Sequence, residues 1–147
     1  MLSSSYRRLK PDTPGQLGSK TILDNNVHPP RIDSFQFIFD DWLGDDLIEC
    51  FPCFLITERL LNKLEGMSLK GYVIKDVEIE FSPLFYDLNG NKKVPAFKWL
   101  YITGQAGDDF FIDEENCLMV SVNAYERINK DGNIPNCEVE VLSISQV

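Results

Sequence analysis

The chain has 147 residues, the usual length of one domain, and its 44% hydrophobic and 12% aromatic content excludes wholesale disorder. Fourteen Lys and Arg against 23 Asp and Glu give a formal net charge of -9, which repels phosphate backbones and anionic lipid. No nucleic-acid or membrane partner is expected; such a charge favours a basic protein.

The opening Met1 to Arg8 contains no apolar run of signal-peptide length, and no later stretch reaches the roughly 18 apolar residues of a membrane span. A cytoplasmic location is therefore expected, with Cys50, Cys53, Cys117 and Cys137 as thiols. Residues 1–34 carry Pro11, Pro14, Gly15, Gly18 and Pro29-Pro30 without a regular apolar period. That composition predicts an irregular N-terminal arm, with Arg7, Arg8 and Lys10 as a solvated basic cluster, ahead of a single domain over 35–147.

From Phe35 the pattern changes. Phe35, Phe37 and Phe39 alternate with Gln36 and Ile38, which predicts a short strand with one face inward, and Asp40 to Asp46 reads as a turn or a short helical turn. A unit then appears twice: Cys53-Phe54-Leu55-Ile56-Thr57 matches Cys117-Leu118-Met119-Val120-Ser121, an apolar strand ending in a hydroxyl residue able to cap a helix. Beyond the caps, Leu60, Leu61 and Leu64 correspond to Ala124, Tyr125 and Ile128, one buried stripe per helix. Gly66 or Gly71, and Gly132, offer a positive-φ stop. Strands are predicted to follow at Tyr72 to Phe81 and Cys137 to Ile144, where apolar and acidic residues alternate. Within the middle segment, residues 83–112, Phe97, Trp99, Tyr101 and Ile102 suggest a further strand. The fold class is α+β, with two strand-helix-strand units packed with a mixed or antiparallel sheet.

Cys50-Phe51-Pro52-Cys53 is the sharpest chemical motif, because thiols at this spacing before a helix can exchange disulfides when one pKa is lowered. Against that, Cys53 opens a strand, the cap lies four residues on at Thr57, and Asp45, Asp46 and Glu49 disfavour a thiolate. Zinc needs a second close pair, whereas Cys117 and Cys137 stand apart and His28 is the single histidine. Asp87-Leu88-Asn89-Gly90-Asn91 imitates a calcium loop, but Lys92 and Lys98 occupy positions that need glycine and glutamate, so a turn is expected there. No histidine-assisted nucleophile, serine elbow or phosphate loop is legible. No cofactor and no metal are expected.

Two acidic clusters surround aromatic residues. Asp40, Asp41, Asp45, Asp46 and Glu49 flank Trp42; Asp108, Asp109, Asp113, Glu114 and Glu115 flank Phe110 and Phe111. An aromatic anchor ringed by acids suits a face for a basic protein, since the ring supplies desolvated area and the charge speeds encounter. Solvated acids around core rings are the alternative. The candidate partner-binding residues are Trp42, Asp45, Asp46, Glu49, Asp108, Asp109 and Phe110.

Asp41-Trp42-Leu43-Gly44-Asp45-Asp46, Phe54-Leu55-Ile56-Thr57-Glu58, Gly71-Tyr72 leading to Val77-Glu78-Ile79, and Leu118-Met119-Val120-Ser121 resemble a family of small uncharacterised bacterial proteins. Some members of that family are grouped with the immunity proteins of polymorphic toxin systems. The likeness spans about residues 35 to 142. It implies an inhibitor that blocks a cognate, basic toxin domain inside the producing cell, without a cofactor. Two alternatives stay open: a small thiol-dependent oxidoreductase using Cys50 and Cys53, and an accessory interaction module that binds without inhibiting.

Overall fold

Thr57 and Ser121 each end an apolar strand and, in the computed structural model, each cap a helix: their hydroxyls accept from the amides of Leu60 and Ala124. The structure describes residues 5–143. The elements in chain order are β1 (Ser5–Lys10), β2 (Gly15–Leu17), β3 (Ile22–Asp24), β4 (Arg31–Ser34), β5 (Gln36–Phe39), β6 (Leu47–Cys50), β7 (Cys53–Thr57) and α1 (Glu58–Glu65). There follow β8 (Tyr72–Lys75), β9 (Glu78–Phe81), α2 (Pro83–Asn89), β10 (Phe97–Ile102), β11 (Phe110–Ile112), β12 (Leu118–Ser121), α3 (Val122–Asp131) and β13 (Glu138–Ser143). The fold is α+β.

The two strand-helix-strand units build two four-stranded sheets of the same plan, ordered β6-β7-β10-β8 and β11-β12-β1-β13. In each, a hairpin leads into the helix, and the strand after the helix returns two places away, separated by one strand antiparallel to both neighbours. That inserted strand comes from elsewhere in the chain. β10, which leads into the second unit, completes the first sheet, while the N-terminal β1 completes the second, so the units interlock. Register makes the equivalence residue by residue: Phe97 lies opposite Thr57 as Tyr6 lies opposite Ser121. The helices meet between the sheets, where Leu47, Ile56, Leu60, Leu64 and Leu100 share one cluster with their counterparts Phe110, Val120, Ala124, Ile128 and Leu9. Fully burying each Leu, Ile, Val or Phe of this set contributes about 1.5–3 kcal/mol.

Several expectations are corrected. The N-terminal arm is not irregular: among its described residues it holds four strands, β1 to β4, and β1 sits inside a sheet; residues 1–4 lie outside the described ones. Arg8 of the expected solvated cluster is ion-paired, with Asp113 at 3.1 Å and Glu140 at 2.9 Å. The stretch Tyr72 to Phe81 is two strands, because β8 pairs with β10 whereas β9 runs parallel to β5 in another sheet. The helices stop at Gly66 and Gly132 with φ of -73° and -105°; Gly71, at φ 110°, lies beyond the helix. Asp87 to Asn89 is the last turn of α2, not a free turn, and Ser82 caps that helix with Pro83 at its start. The strand expected to reach Ile144 is β13; Ile144 lies outside the described residues.

Phe35, just before β5, and Phe37 and Phe39 within it do turn inward, where they join Trp42, Phe85, Phe97 and Trp99 in a second, aromatic cluster on the other face of the first sheet. Gln36 is buried as well, because the chain around Gly18 to Thr21 covers it: its side-chain oxygen accepts from the Lys20 amide, its own amide donates to the Thr21 hydroxyl, and its side-chain nitrogen donates to Glu78.

Candidate functional site

The acids around Trp42 and Phe110 are placed by repeated backbone geometry. Gly44-Asp45-Asp46 and Gly107-Asp108-Asp109 precede the two hairpins, each glycine at positive φ (99° and 103°). Asp46 accepts from the Thr57 hydroxyl at 2.9 Å and the Asn133 amide at 2.7 Å; Asp109 accepts from the Ser121 hydroxyl at 2.7 Å and the Lys70 amide at 2.8 Å. Each aspartate thereby ties its own helix cap to the loop after the other unit's helix. Asp46 also meets Arg59 at 2.6 Å, and Asp45 accepts the amide and side-chain nitrogen of Asn136.

The consequence is a correction to the expected partner face. Trp42, Asp45, Asp46 and Phe110 are buried, at 8%, 0%, 2% and 0% exposure, and Glu49, Asp108 and Asp109 are half-buried. Trp42 packs edge-on to Phe97 and donates its indole N–H to the Asp45 carbonyl; Phe110 packs against Tyr72. A buried ring cannot anchor a partner. Of the two readings the sequence allowed for these rings, core is the one that holds.

Cys50 and Cys53 face each other across the β6–β7 hairpin, both buried and both thiols. Burial, with Glu49 beside it, pushes the Cys50 thiol up to about 11; burial, with Cys50 beside it, pushes Cys53 up to about 12. Both stay protonated at neutral pH, so neither has the thiolate that disulfide exchange needs. Glu49 lies on the same strand, and burial raises its carboxyl to about 7 against the opposing pull of Lys10.

What the surface does offer is α2. Only Phe85 of this helix is buried, while Leu84, Tyr86 and Leu88 are 50%, 56% and 58% exposed. Leu43, 54% exposed, lies on the loop held against the end of α2 by hydrogen bonds from Asn89 to Asp41 and from Lys92 to the Trp42 carbonyl. Exposed Asp87 and Glu80 lie beside these apolar side chains. A groove of about 550 Å³ lined by Ile38, Glu80, Phe81 and Tyr86 runs along one side of the helix. This helix was missed from sequence, although Ser82-Pro83 followed by Leu84, Phe85 and Leu88 carries a cap, a first-turn proline and apolar spacing.

A second cleft, about 540 Å³, brings His28 near Arg8, Asp113 and Glu115. Among the described residues no group of three or more His, Cys, Asp or Glu could hold a metal ion, and no helix is long and apolar enough to cross a membrane. No family model matches the chain, and no curated protein matches it.

Proposed function

We propose that the protein is a cytoplasmic binding protein, an immunity-type inhibitor that neutralises a cognate bacterial toxin by covering its active site. The observation that carries this reading is the exposed apolar set on α2, Leu84, Tyr86 and Leu88, on a molecule of net charge -9. Large exposed side chains give a partner area to desolvate, and the negative field speeds the approach of a basic domain such as a toxin nuclease. The acids first expected to ring the anchors serve instead to hold the loops, so the charge acts through the whole surface.

Co-expression with the toxin encoded beside it should restore growth, and the purified pair should form a complex that weakens as salt is raised. Replacing Tyr86 by Ala and Leu88 by Asp together should weaken that complex at least ~100-fold, the loss of two anchor side chains, with the thermal midpoint nearly unchanged. No binding to any neighbour-encoded protein overturns the reading. Binding that leaves the toxin fully active makes the chain an accessory module instead.

A further inference from the structure

The two interlocked sheets have four outer edges, and they are not equally defended. β6 is bridged by the chain leaving β1: Asp12 pairs with Ile48, and the Glu49 amide donates to the Asp12 carbonyl. β11 has three residues, and its Phe110 amide donates to the Lys70 carbonyl. β8 has four, ending in Lys75, whose ammonium lies 5.3 Å and 4.5 Å from the ring centres of Trp99 and Tyr101. Short length, lysine and covering backbone are the usual ways to blunt an edge.

Among the described residues, β13 has none of these. It is six residues long, two more than its counterpart β8, and its register with β1 runs unbroken from Glu138 to Ser143. It contains neither proline nor lysine, and Val139 and Val141 are 40% and 64% exposed. Along it, acid and valine alternate: Glu138 and Glu140 project on one side of the sheet, where Glu140 already meets Arg8 at 2.9 Å, and Val139 and Val141 project on the other.

The geometry points to β13 as a docking edge that accepts an extended segment of a basic protein as one more strand of its sheet. Main-chain hydrogen bonds supply the affinity, and the side-chain alternation selects a strand with Lys or Arg opposite Glu138 and apolar residues opposite the valines. The β13 of a second copy carries no Lys or Arg to set opposite Glu138, so it is the poorer occupant. The symmetric antiparallel registers that set Val139 against Val139 or Val141 of a copy also set Glu140 against Glu138 or Glu140, and like charges directly opposite destabilise a pair. The basic character of the occupant rests on the function proposed above; the open edge does not.

The probe is a synthetic hexapeptide of alternating lysine and valine, titrated into the intact chain and followed by amide shifts and hydrogen exchange. The expected result is perturbation and slowed exchange confined to β13 and β1, lost at least tenfold when alternate peptide nitrogens are methylated or when Val141 is replaced by Lys. Equal binding of the methylated peptide means charge attraction alone and overturns the proposal. So do perturbation centred elsewhere, absence of binding, and self-association through β13 without peptide. Because the peptide needs no toxin, failure to protect against a toxin alongside intact peptide binding defeats the inhibitor reading and leaves this one standing.

Discussion

Glu49 shows how one residue departs from the plan of its fold. It lies opposite Phe54, as Ile112 lies opposite Leu118, so the first unit places a carboxyl where the second has an isoleucine. Burial is the main reason its carboxyl rises from 4.5 to about 7; Lys10 pulls the other way, and the thiols of Cys50 and Cys137 lie close enough to feel its charge. A raised carboxyl is protonated more readily in the folded chain than in the unfolded one. Its stabilising contribution is therefore complete below about 4.5 and is lost as the pH rises through about 7. Asp12, also raised by burial and by Asp45, adds a slope of the same sign. The urea midpoint should fall between pH 5 and pH 8, and Glu49→Gln should flatten that fall and exceed the wild type at pH 8. A variant less stable than wild type at pH 8 would show that the attraction to Lys10 outweighs the burial. Sequence alone could not rank these acids: Asp45, Asp46, Asp109 and Glu49 look alike in a charged stretch. Short carboxylates that accept buried amides and hydroxyls serve as structural clasps, and only the tertiary partners, such as Asn133 and Lys70, reveal it.

At the scale of elements, local signals were legible and distant ones were not. The caps at Thr57 and Ser121 and the stripes Leu60, Leu61, Leu64 and Ala124, Ile128 could be read because helix geometry couples residues three and four apart. β1 could not be read, since its partners β12 and β13 lie more than a hundred residues away and its own six residues alternate weakly. The break between β8 and β9 was hidden for the same reason: the two strands diverge to serve different sheets. Replacing a cap by Ala removes both an acceptor for the helix and a donor to an aspartate. Thr57→Ala and Ser121→Ala should each cost about 1–2 kcal/mol in chemical denaturation. The loss should be larger at Thr57, whose aspartate is buried, than at Ser121, whose aspartate is half-buried. Equal and negligible losses would show that water replaces the hydroxyl at both caps.

For the whole molecule, the exchange of β1 and β10 binds the halves together more firmly than any single contact. Cleavage after exposed Lys93, between α2 and β10, should leave fragments 1–93 and 94–147 eluting together, to part only in denaturant. Fragments that elute separately under native conditions would mean that each sheet holds without its borrowed strand. The ribosome releases these strands in chain order, β1 ahead of β13. β1 therefore emerges well before its neighbours and stays an unpaired strand of the nascent chain until residues 118–143 are synthesised.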